Sequence, residues 1–209
     1  MQQGTHTSGP ATAANGWSIL GDASGVAPLT SGTEIDLTVY YSVVNNGTPT
    51  TIAGNMIGTN AAGTAAVGNN RGILLQNAVQ HARIGTDGDG ISDIEERNIV
   101  SGNNNDGIWI RGIDTDHTVI AGNFIGTDVT GTLDLGNAQR GIRIQAGASH
   151  TLVGTDGVGN TAAEGNVISG NSQHGIRIQN VETNFTVVAG NLIGTDVTGT
   201  YDIENREGV

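Results

Sequence analysis

Cysteine is absent from the 209 residues, and so is lysine: all eight basic residues are arginine. The first absence excludes disulfides and thiolate metal sites, and the second removes lysine from any catalytic base. Aromatic residues make up 3% of the chain, too few for an ordinary globular core, where rings supply much of the buried area. No run of 18 apolar residues occurs, so no segment reads as a membrane-spanning helix. The opening MQQGTHTSGP has neither a basic n-region nor an apolar h-region, and no signal peptide is expected in it. Twenty acidic residues outweigh the arginines, for a formal net charge of −12. That balance argues against a nucleic-acid backbone as partner and suits a water-exposed setting, extracellular or at a cell surface.

What the chain has in quantity is glycine, 34 residues of it, and repetition. Residues 118–132 read TVIAGNFIGTDVTGT and residues 186–200 read TVVAGNLIGTDVTGT, 68 positions apart; TTIAGNMIGTNAAGT begins another 68 positions earlier, at Thr50. Each 68-residue unit divides into two similar halves. Short apolar segments open near Thr50, Ala82, Thr118, Thr151 and Thr186, so one half spans 32–36 residues. A second marker recurs as GILL, GIWI, GIRI and GIRI, starting at Gly72, Gly107, Gly141 and Gly175, and a third as NIVSGN and NVISGN.

Three short strands per 32–36 residues, with Gly and Asn at the bends, describe one coil of a parallel solenoid. Alternation assigns the faces. Ile73 and Leu75, Ile108 and Ile110, Ile142 and Ile144, Ile176 and Ile178 should point inward, with Leu74, Trp109, Arg143 and Arg177 between them pointing out. Ile52, Ile84, Ile120, Val153 and Val188 form a second inward column, and Asn55, Asn123 and Asn191 should align at one bend.

This GNxIGTDxTGT…GIxIxxG…NVISGN…GIxI pattern resembles the right-handed parallel β-helix repeats, pectate-lyase-like solenoids, of large bacterial secreted and surface proteins. The resemblance covers residues 50–209 and, more weakly, a degenerate first coil in 1–49, where GWSILGD and TEIDLTVYYSVV read as strands. It implies an all-β solenoid forming one continuous domain, and no single activity. The same helix carries lyases, hydrolases, tailspikes, adhesins and plain spacers.

Several residues are candidates for chemistry. In GTDGDGISDIEER, counting Gly85 as the first position of a twelve-residue calcium loop puts Asp87, Asp89, Gly90, Asp93 and Glu96 at ligand or turn positions. Gly85 stands where such loops have Asp, which weakens the match. His81, His117 and His150 each precede a first strand, with Phe185 interrupting that column. Trp109, Arg111, Arg143, Gln145, Arg177 and Gln179 should share one outward face, beside Arg71, Arg140 and His174. Such a face could hold an acidic polysaccharide or could simply be solvated. Sequons at Asn46 and Asn184 are chemically competent glycan acceptors. Asp128, Asp134, Asp196 and Asp202 repeat with the loops, as turn-closing residues do, and no Ser/His/Asp or phosphate-loop pattern is present.

The two ends of the chain are alike. Met1-Gln2-Gln3-Gly4 and His6-Thr7 resemble Ile144-Gln145-Ala146-Gly147 and His150-Thr151, while Gly208-Val209 resembles Gly141-Ile142. Either the chain is a piece of a longer array in which every coil looks alike, or Met1–Thr7 of one copy completes the coil left open by Asn205–Val209 of another. The expectation is therefore a structural rod, stalk or head-to-tail filament segment without catalysis and with no required cofactor. A carbohydrate-binding adhesive module and a polysaccharide lyase or hydrolase stand as alternatives.

Overall fold

In the computed structural model the described residues are 40–41, 50–159 and 161–209. They form a parallel β-solenoid of three sheets, each built from one strand per coil. The first sheet comprises β2 (Thr51–Ile52), β5 (Arg83–Gly85), β8 (Val119–Ala121), β11 (Leu152–Gly154) and β14 (Val187–Ala189). The second comprises β3 (Met56–Ile57), β6 (Ile99–Val100), β9 (Phe124–Ile125), β12 (Val167–Ile168) and β15 (Leu192–Ile193). The third runs β1 (Tyr40–Tyr41), β4 (Ile73–Leu75), β7 (Ile108–Arg111), β10 (Ile142–Gln145) and β13 (Ile176–Gln179). All pairings within the three sheets are parallel, and equivalent residues sit opposite one another, as in Ile142 against Ile108 and Ile176. β1 lies inside the stretch 33–44 expected to hold a strand; the rest of the proposed degenerate coil, GWSILGD included, falls outside the described residues.

The inward columns are where alternation put them. Leu75, Ile84, Ile108, Ile110, Ile120, Ile142, Ile144, Val153, Ile168 and Ile176 are buried in one continuous cluster. No coil could bury these side chains alone; each is covered by its equivalents about 4.8 Å above and below. Ile178 obeys the same alternation but is 38% exposed, because the pairing of Glu207 and Gly208 along the far side of β13 stops at Ile176.

Coil length alternates in where it is spent. Between β2 and β3, and again between β8 and β9, the first corner is a tight Ala-Gly-Asn turn, and the long loop follows the second strand. In the intervening coils the long loop is at the first corner (86–98, 155–166) and the second corner is short. Long loops of one type thus meet each other directly, two coils apart: the Val129 N–H donates to the Gly63 carbonyl at 2.9 Å, and Val197 N–H to Gly131 at 2.9 Å. This explains the twice-written fifteen-mer. Gly131 adopts φ +71°, and a Cβ there would lie 2.8 Å from the Phe124 ring and 2.9 Å from Val197, so the loop must match the identical loop of the next double coil. The described helix is a single turn, α1 (Thr161–Glu164), inside one first-corner loop.

Two asparagine ladders climb the corners. Along the first, Asn55, Asn98, Asn123 and Asn166 each donate Nδ2–H to the Oδ1 of the next, at 3.0, 2.9, 3.0 and 2.8 Å, ending on Asn191. The same Oδ1 atoms also accept backbone N–H groups, as Asn166 Oδ1 does from Asn123 at 2.9 Å. The second ladder runs Asn103, Asn137, Asn171, Asn205 at 2.8, 2.9 and 2.9 Å. The expected alignment of Asn55, Asn123 and Asn191 is present, with Asn98 and Asn166 filling the coils between. Asn123 is fully buried, and its removal would strand donors and acceptors on both neighbouring coils. Asn123→Ala should therefore destabilise the chain by about 3 kcal/mol or more. The exposed Asn104→Ala should stay within about 0.5 kcal/mol of wild type, both read by denaturant melts followed by circular dichroism.

Candidate functional site

The third sheet gathers the arginines. Its outward column stacks Leu74, Trp109, Arg143 and Arg177 in register, and Arg111, Gln145 and Gln179 form the column beside it. The Gln179 amide donates to the Gln145 side-chain carbonyl. Trp109 is outward by alternation yet only 8% exposed. Its ring is covered by the guanidinium carbons of Arg71, Arg111 and Arg143 at 4.7, 4.8 and 4.8 Å, an arrangement that the ring quadrupole favours. Its Nε1–H is buried without a partner. At the entrance to the strands, Asp106 is 2% exposed and accepts from Arg140 at 3.2 Å and Arg143 at 3.5 Å. His174 Nε2 lies 3.2 Å from Glu207 and 3.4 Å from Arg177. Burial lowers the Arg143 pKa, partly opposed by the neighbouring Asp106 carboxylate. The predicted glycan-face residues Trp109, Arg111, Arg143, Gln145, Arg177 and Gln179 are thus brought together, but the indole offers no open face.

The first-corner loop 86–97 holds the calcium candidates. Side-chain oxygens of Asp87, Asp89 and Asp93 lie within 4.8 Å of one another. Each also closes the loop internally: Asp87 Oδ1 accepts the Asp89 N–H at 3.1 Å, Asp89 Oδ1 the Ile91 N–H at 2.7 Å, and Asp93 Oδ1 the Thr86 hydroxyl at 2.6 Å. Glu96 is spent differently, accepting the Asp87 N–H at 3.0 Å. Beside this loop lies an open hollow of about 420 Å³, lined in part by Ile94, Arg97, Ala162 and Ala163. Arg97 is anchored there, donating Nε–H to the Gly122 carbonyl at 2.9 Å with its guanidinium 4.1 Å from the Phe124 ring centre.

The histidine column is continuous. His81, His117 and His150 stack with ring centroids 4.9 and 4.8 Å apart. Phe185 does not interrupt it, as expected from its chemistry, but extends it at 4.7 Å from His150, since flat area and not a ring nitrogen is what the stack needs. All four residues are left-handed, at φ 54°, 53°, 50° and 56°. Of the sequons, Asn184 is exposed at the bend before β14, and Asn46 lies outside the described residues.

The repeated aspartates close turns. Asp128 Oδ1 accepts N–H groups of Thr132 and Leu133 at 3.1 and 3.0 Å and the Thr130 hydroxyl at 2.8 Å; Asp196 does the same with Thr200, Tyr201 and Thr198. Asn60 fills the equivalent place in the first repeat. Sequence reasoning missed the ladder residues Asn98 and Asn166, although the leading Asn of NIVSGN and NVISGN was the available signal. Comparison with family models, curated proteins and solved structures returned no match.

Burial raises the Asp128 pKa, but the Thr130 hydroxyl and the N–H groups of Leu133, Thr132 and Thr130 outweigh it, and the net shift is downward from 3.8. A folded pKa below the unfolded one adds stability that is fully present above the unfolded value and is lost as the pH falls through the folded value. Asp128→Asn, mimicking Asn60, should leave the fold intact and flatten this acid-side loss in a pH series of thermal melts.

Proposed function

We propose that this chain is a structural, non-catalytic segment of an extracellular rod or filament of the bacterial secreted-protein type. Its coils would stack head-to-tail, with Met1–Thr7 of one copy, a segment outside the described residues, set against Asn205–Val209 of the next. The observation that carries the reading is the last coil: β14 and β15 pair on one side alone, as does β13 beyond Ile176, and the inward Ile178 is 38% exposed. Unpaired parallel edges topped by apolar side chains take another strand readily, and a contact that does not close on itself grows into a filament. The carbohydrate-binding alternative, with Trp109 as a stacking platform, is less well supported, because three guanidinium groups already occupy that ring's surroundings. Purified chain should form fibres visible by negative-stain microscopy, and Ile178→Asp should abolish them while leaving the monomer's dichroism unchanged. A wild-type chain that remains monomeric at about 1 mM would overturn the reading.

Calcium is the one cofactor we propose, as a loop ligand at Asp87, Asp89 and Asp93. The convergence of the three carboxylates supports it, and they supply about half the six to eight oxygens calcium takes. Titration calorimetry should give a Kd of roughly 10⁻⁴–10⁻³ M, lost in Asp89→Ala; no heat with the wild-type chain would remove calcium from the reading.

A further inference from the structure

We infer that these rods also associate side by side, the arginine face of one copy docking against the acidic corner of a second copy. This goes beyond end-to-end stacking and does not depend on it. Five of the eight arginines, Arg71, Arg111, Arg140, Arg143 and Arg177, lie on or at the entrance to the third sheet. The acids beside them are few. Asp106 is shared by Arg140 and Arg143, and Glu207 pairs with His174. Among the described residues, Arg71, Arg111 and Arg177 have no carboxylate within ion-pair distance.

The opposite charge is gathered across the rod. The chain passes from the first sheet to the second and then to the third in each coil, so the corner between the first and second sheets does not border the third. That corner carries the long loops 86–97 and 155–165, which hold Asp87, Asp89, Asp93, Glu95, Glu96, Asp156 and Glu164 against Arg97 alone. Asp87, Asp89, Glu95 and Asp156 are exposed. The loops recur every second coil, about 9.6 Å apart, and arginine rows recur along the same axis at about 4.8 Å. An acidic loop on one rod therefore meets a basic row on its neighbour without a shift in register.

Two observations favour a second copy over a polyanionic glycan. The acidic complement is on this chain and recurs at twice the pitch of the basic face. The Trp109 indole is covered, so a sugar ring finds no stacking surface there. The contact is heterologous, the acidic edge of one rod on the basic face of the next, so it propagates sideways and does not close.

A net charge of −12 sets the salt dependence. At about 0.01 M ionic strength the screening length is about 30 Å and whole-rod repulsion prevails; at about 0.15 M it is about 8 Å and contact pairs survive; at about 1 M it is about 3 Å and they weaken too. Sedimentation velocity on the Ile178→Asp chain, in which end-on growth is blocked, should show association that peaks near 0.15 M and falls on both sides. In that background, Arg71→Glu/Arg111→Glu and, separately, Glu95→Lys/Asp156→Lys should each weaken association at least tenfold. Mixed together they should form a one-to-one pair, because each retains one native surface. The loop variant touches only exposed residues and carries the test if the arginine variant fails to fold. Monomer at every salt concentration, or association indifferent to both variants, overturns the inference. So does dextran sulfate binding through Arg71 and Arg111 that is tightest at the lowest salt with no self-association, which would assign the face to a polyanion.

Discussion

The register between one coil and the next is what everything else in this molecule rests on. Parallel strands two to four residues long offer few hydrogen bonds each, and slipping a strand by one residue would turn its aliphatic side chain to water. The asparagine ladders prevent that slip. Each buried side chain accepts from the coil before it and donates to the coil after, while its second N–H closes onto a strand carbonyl such as Ile84 or Ile120. A coil displaced in register would leave several such groups unpaired in a place water does not reach, at about 1–3 kcal/mol each. The ladders therefore specify alignment more sharply than the interchangeable isoleucines they flank.

Alternation of the long loops follows from the same stacking. At about 4.8 Å per coil, a loop that folds back on itself, with bridges such as Thr127 to Asp134, is too thick to recur on every coil at one corner. Placing it on every second coil, and at the other corner in between, lets each loop occupy two coil heights. The Val129 to Gly63 and Val197 to Gly131 bonds show the space fully used. The repeat that sequence displays is consequently 68 residues although the structural unit is half that, and the most nearly identical segment is the one whose copies touch each other.

Most of this architecture was legible because it is periodic. Ile142 and Ile144, or Ile108 and Ile110, recur at fixed offsets, and alternation alone assigns their faces. What periodicity could not assign was behaviour that depends on neighbours. Trp109 occupies an outward position yet is buried, because Arg71 and Arg143 reach it from adjacent coils, and no single strand's pattern contains that information. Phe185 read as a break in the histidine column because the eye follows residue type, whereas the corner selects for a flat ring in a left-handed conformation. Glu96 falls on a ligand position by count, and in the fold it also accepts the Asp87 N–H. Loop interiors follow local hydrogen bonding, which counting positions does not capture.

A fold held together along its axis leaves its outside free of structural duty at many positions, and the charge pattern uses that freedom unevenly. Arginines could have been scattered among the acids to neutralise them locally, which would lower the self-repulsion that a net charge of −12 entails. Instead five sit on one face, and the guanidinium groups of Arg71 and Arg111 lie on an indole rather than on a carboxylate. Stacking on Trp109 orders those side chains in advance, so a carboxylate arriving from outside meets donors whose conformational entropy has largely been surrendered already. Asp106 beneath them holds Arg140 and Arg143 in the same way. Ordered cations on one side, and acids in loops whose oxygens are partly engaged on the other, are what a repeated lateral contact between rigid rods requires, since neither surface must rearrange to meet its partner.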